Sequence, residues 1–134
     1  MRDDSHRGTE VPSVKQSSDI LGAAIEVHRR LGPGLLESAY EARLCREMCF
    51  RRIPFEHQVE VPLYYRGMTV DCGYRLDIVA FESVLVEVKS VSRILPIHHA
   101  QVLTYLRTTG FRLGLLINFN VEVLRLGIRR LVNG

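Results

Sequence analysis

The sequence predicts an α/β fold: a mixed central sheet flanked by helices, in the order α-α-β-β-β-α-β plus a C-terminal element. Three observations carry this. Two stretches before residue 52 repeat apolar residues at helical spacing. Three strand-like runs follow between residues 55 and 91. A further helical stretch then leads to "LGLLINFN" (113–120), a wholly apolar run of the kind found in the middle of a sheet.

Taken in order, residues 1–16 are polar, charged and non-periodic and read as a disordered tail, which leaves 17–134 as a single domain. "SSDILGAAIEVHRRLG" opens on a Ser/Ser/Asp start signal and stops at Gly32. After the "GPG" break a second helix is expected from about Leu35 to Arg52, with Leu36, Tyr40, Leu44 and Met48 as a stripe. Arg51 and Arg52 suit its C-terminal dipole, and Pro54 closes it. "FEHQVEVPLYY" alternates, with Pro62 marking an edge or a bulge. "RG" turns the chain into "MTVDCGYRLDIVAF", and a short turn near Glu82 leads to "VLVEVKSV". Pro96 suits the first turn of a helix that ends at Gly110. "VEVLRLGIRRLVNG" reads as an edge strand.

Composition bounds the function. No apolar run approaches the ~18–20 residues of a membrane span, and the N-terminus has no secretory apolar region, so the default compartment is the cytoplasm. Cys45, Cys49 and Cys72 form no C-x-x-C, which argues against a zinc ribbon or an iron–sulfur cluster. A net charge of +3 permits nucleic-acid binding without demanding it. Of the two lysines among the 18 basic residues, Lys15 lies in the polar N-terminal stretch, so Lys89 is alone in the folded region. Arginine cannot replace a lysine whose pKa must respond to its surroundings.

Glu87 and Lys89 interrupt an apolar strand two positions apart, so they share a face. A turn centred on residue 82 places Asp77 directly opposite Glu87, with Cβ atoms roughly 4.5–5.5 Å apart. Two carboxylates at that distance repel. A divalent cation, Mg²⁺ or Mn²⁺, resolves the conflict, and a neighbouring lysine can orient a water or stabilise charge developing on phosphorus. The bland alternative is a solvated strand face with one cross-strand ion pair. Glu37 is an acid in the first turn of the second helix, a position that suits any helix. Gln101 and Tyr105 share a face of the last helix with His98 nearby, which is either a polar flank or a phosphate- and base-binding surface.

Gly34 and Glu37, Asp77, Glu87 and Lys89, and Gln101 and Tyr105 together resemble the PD-(D/E)xK nuclease superfamily. The similarity is to its exonuclease-like branch, which carries a Q-x-x-x-Y helix. More narrowly, "LGPGLLESAY", "DCGYRLDIVA" and "LPIHHAQVLTYLR" look like the GxxExxY proteins. The resemblance implies a restriction-endonuclease-like core and metal-dependent hydrolysis of DNA or RNA. It implies catalytic roles for Asp77, Glu87 and Lys89, metal ligation by Glu37, Asp77 and Glu87, and a substrate cleft lined by Gln101, Tyr105 and His98. The Val88 carbonyl would be a further ligand. His28 would match a histidine ligand of some relatives, or be a core histidine. Leu76 stands where the superfamily's motif has proline, and His99 where the narrower pattern has an acid. Two other readings stay open: a catalytically silent or partner-dependent nucleic-acid-binding module on the same fold, and an interaction protein whose E-x-K is an ion pair. "PLYY" and the C-terminal element would serve either as core or as a homodimer interface.

Overall fold

The computed structural model describes the backbone of residues 11–134 and, outside residues 70–72, their side chains. The first ten residues, most of the stretch read as a tail, lie outside the described residues. Helix α1 spans Val14–Leu31 and α2 Glu37–Phe50. Strands β1 (Phe55–Tyr65), β2 (Met68–Ala80) and β3 (Val84–Lys89) follow, then α3 (Pro96–Thr109), β4 (Leu113–Asn118), a short 3-10 turn (Leu124–Gly127) and β5 (Ile128–Val132).

Helix α1 takes in residues 14–16, which composition had placed in the tail. Ser13 explains this. Its hydroxyl accepts the Gln16 N–H at 3.0 Å, and the Gln16 side chain accepts the Ser13 N–H at 3.1 Å. That reciprocal cap is written in the sequence as S-x-x-Q, and the Ser/Ser/Asp signal that follows it lies inside the helix. Helix α2 is two residues shorter at each end than its stripe suggested, because Leu36 is extended and Arg51 leaves helical geometry.

The strands lie in the order β1-β2-β3-β4-β5, all antiparallel except β3 and β4. Those two are parallel and joined through α3, as a crossover requires. The sheet is therefore mixed, with apolar packing on both faces. On one, α1 and α2 cover Ile78, Ala80, Val84, Val86, Val88, Leu115 and Ile117. On the other, Val102, Tyr105 and Leu106 of α3 cover Leu76, Val79, Leu85 and Leu116. β4 is buried at all six positions, as its unbroken apolar run anticipated. β5 forms the outer strand on the far side of β4.

Two glycines allow close approaches. A Cβ at Gly73 would lie 2.1 Å from the Val61 carbonyl oxygen, where β1 bulges around Pro62. A Cβ at Gly127 would lie 2.1 Å from the Asn118 carbonyl oxygen.

Candidate active site

The β2–β3 ladder pairs Ala80 with Val84, Val79 with Leu85 and Ile78 with Val86, which is the register expected from a turn at residue 82. The next pair would be Asp77 and Glu87. Regular pairing stops there and side chains take over. Asp77 Oδ2 accepts the Val88 N–H at 2.9 Å, and Glu87 Oε2 accepts the Asp77 N–H at 3.2 Å. Both carboxylates are thus held by backbone at the point where the two strands part.

Strand alternation also changes at this point. Leu76 and Ile78 are two apart and would share a face of a regular strand. Instead Leu76 packs on the α3 side with Val79, and Ile78 on the α1–α2 side with Ala80. Across from Asp77, Gln58 of β1 has a positive φ of 55°, a conformation costing on the order of 1–3 kcal/mol outside glycine. The sequence placed Asp77, Glu87 and Lys89 on one face. In the structure Lys89 lines a cleft on the α3 side, whereas Asp77 sits at the crossing and lines a cleft on the α2 side.

The α2-side cleft, of about 770 Å³, brings Asp77 together with Glu37, Glu41, His57, Gln58 and Arg75. Glu41 was missed in the sequence. It is 8% exposed, and its Oε2 meets His57 Nε2 at 2.6 Å and accepts from the Gln58 amide. Burial, then the charge on Asp77, push its pKa up, with His57 and Gln58 opposing. The available signal was position: Glu41 lies three and seven residues before Leu44 and Met48, so it is a carboxylate inside the apolar stripe.

The α3-side cleft, of about 480 Å³, brings Lys89 together with His98, Gln101 and Tyr105. Lys89 Nζ donates to Gln101 Oε1 at 3.1 Å. His98 also caps its own helix, because its Nδ1 accepts the Leu95 N–H at 2.9 Å. This cleft also has Tyr74, whose ring lies 4.8 Å from that of Tyr105. Burial, followed by the charges of Glu87 and Asp77, raises the Tyr105 pKa.

Glu87 lies between these groups, 3% exposed. Burial is the main cause of a pKa pushed up to about 10, followed by the hydrogen bond and charge of Asp77, while the charge of Lys89 pulls weakly the other way. A carboxyl so destabilised as an anion, touching a second carboxylate, is the chemistry that a divalent cation relieves. Among the described residues no three His, Cys, Asp or Glu side chains form a ready metal-binding group.

His28 is not part of this site. Its Nε2 meets the Val121 carbonyl at 2.6 Å and its ring lies 6.4 Å from Phe119. Around the site, polar side chains fasten the loops. The Tyr40 hydroxyl donates to the Gly32 carbonyl and accepts from the Leu35 N–H, holding the turn before Glu37. Asn120 Oδ1 accepts the Gly34 N–H, and the Ser90 hydroxyl donates to the Leu35 carbonyl. Asn118 bonds both the N–H and the carbonyl of Val91.

Among the described residues no helix is long and apolar enough to cross a membrane. No curated protein and no solved structure matches the chain significantly. A family model described as PD-(D/E)XK nuclease superfamily matches residues 14–131, from the first residue of α1 to the penultimate residue of β5. The match takes in every strand and helix that builds both clefts, and the chain belongs to the PD-(D/E)XK nuclease superfamily.

Proposed function

We propose that the protein is a nuclease that hydrolyses phosphodiester bonds in DNA or RNA with Mg²⁺ or Mn²⁺. Members of the superfamily are usually nucleases with divalent metals, and a nucleic-acid substrate follows from that membership. The observation that carries the reading is the meeting of Asp77 and Glu87 where β2 and β3 part, with Lys89 one pleat further on.

In this reading Asp77 and Glu87 would hold the ion, with Glu37 and Glu41 of α2 as further acids lining the same cleft as Asp77. When bound, the ion supplies charge neutralisation at the phosphate and a more acidic water. The Val88 N–H fixes the Asp77 carboxylate, so that group is oriented before substrate arrives. Lys89 donates to the developing negative charge or orients the attacking water. Gln101 holds the Lys89 ammonium, and both line the α3-side cleft. Gln101, Tyr105 and His98 line the cleft that takes the substrate strand. The narrower likeness to GxxExxY proteins assigns the Gly34–Tyr40 segment to placing Glu37, which the Tyr40 hydrogen bonds support.

A second reading, a binding module on a nuclease fold, rests on the buried Glu87, whose raised pKa lets it sit protonated beside Asp77 without a metal. Incubation with single- and double-stranded DNA and RNA in Mg²⁺ or Mn²⁺ separates the two. The nuclease reading expects cleavage that EDTA abolishes and that Lys89→Ala lowers about 100-fold or more. Binding without cleavage, or equal cleavage by Lys89→Ala, would leave the second reading.

A further inference from the structure

We propose that the α3-side cleft is a base pocket, in which Tyr74 stacks on an unpaired base of a single-stranded substrate. This rests on the nuclease reading and names its substrate class. Tyr74 is half-buried, whereas Tyr105 behind it is only 8% exposed. The two rings lie 4.8 Å apart at an interplanar angle of 55°. A buried ring therefore backs a partly exposed one, which fixes Tyr74 without covering it. A rigidly placed aromatic ring in a cleft beside a phosphodiester site is suited to a base, because every base offers a π-face. Ile97, 67% exposed, adds an apolar side chain to the same cleft. The volume of about 480 Å³ falls in the ordinary range for a small-ligand pocket.

Charge points the same way. Among the described residues Lys89 is the one lysine or arginine lining this cleft, and it is hydrogen-bonded to Gln101. Strong binding to duplex backbone needs many cations, each neutralising a phosphate. With one, the cleft must take its affinity from the base. In a duplex each base face is covered by its neighbours, so Tyr74 meets a base only where a strand is unpaired.

The test is fluorescence anisotropy with labelled oligonucleotides, with Ca²⁺ replacing Mg²⁺ and intactness of the strands checked afterwards. The probes are a single strand, the same strand annealed to its complement, and the same strand carrying a run of abasic sites. Wild type should bind the intact single strand more tightly than the other two. Tyr74→Leu should weaken binding to the intact strand by at least about fivefold while leaving the abasic strand unchanged, and Tyr74→Phe should keep the preference. Equal wild-type binding with and without bases overturns the pocket alone, as does duplex bound more tightly than single strand. Weakening by Tyr74→Leu on both single strands equally also overturns it. Failure to bind any of the three overturns the nucleic-acid reading together with the pocket.

Discussion

Glu87 puts a buried carboxyl into an otherwise apolar run of strand. It sits where Leu85 and Val86 have just been buried, and its neighbour Asp77 is a second carboxylate. Its pKa of about 10 against an ordinary 4.5 means that the metal-free fold takes up a proton that the unfolded chain releases. The stabilisation is complete below about pH 4.5 and is lost as pH rises towards 10. Melting temperature in EDTA should therefore fall between pH 5 and 9, and fall less in Glu87→Gln, which needs no proton. Mg²⁺ or Mn²⁺ should raise the wild-type melting temperature most at the alkaline end. An identical pH profile for wild type and Glu87→Gln would remove Glu87 as the titrating group. A second residue-scale contrast concerns the thiols of α2. Cys45 is pushed up to about 11, first by burial and then by the charge of Glu41, whereas Cys49 is exposed. Peptide mapping after brief alkylation at pH 8 should find Cys49 modified well before Cys45.

At the scale of elements, the site is held by connections more than by the helices and strands themselves. The turn between α1 and α2 carries Gly34 at a φ of 100°, and the Tyr40 hydroxyl closes it from both ends. The Tyr40 ring is fully buried and stacks on Phe119 at 4.7 Å, so the hydroxyl has a fixed position. Tyr40→Phe keeps that packing and strips partners from one carbonyl and one N–H. It should cost about 1–3 kcal/mol in denaturant unfolding. A loss within error would show that water replaces the hydroxyl. The bulge near Pro62 depends on Gly73 in another way. A methyl there overlaps the Val61, Pro62 and Leu63 backbone, none of which can rotate aside. Gly73→Ala should lower the melting temperature by several degrees, about the shift expected for 1–3 kcal/mol in a domain of this size.

Over the molecule, exposed arginines of the described residues pair with nearby glutamates. Arg29 and Arg30 pair with Glu26, and Arg51 with Glu47, through solvent-exposed arginines, where ion pairs contribute little. With a net charge of +3, raising NaCl from 0.05 to 0.5 M should move the melting temperature by no more than about 2 °C. A larger change would point to ion pairs that the fold depends on. What the sequence determined by itself were the features with a local period or a local signal. The order of elements, the apolar β4 and the antiparallel register that brings Asp77 to Glu87 follow from alternation, turn residues and spacing. Glu37, Lys89, Gln101, Tyr105 and His98 could be proposed because each stands at a readable position on its own strand or helix. Only the tertiary structure decided what depends on contacts between distant segments. It brought Glu41 of α2 to Gln58 and Asp77, and it divided the proposed residues between two clefts. It also placed Tyr74 beside Tyr105, although simple alternation from Asp77 puts Tyr74 on the opposite face. The cause is the break in alternation between Leu76 and Ile78, opposite the positive φ of Gln58. No composition or period signals that break, because it depends on how β1 and β3 pair with β2 from either side.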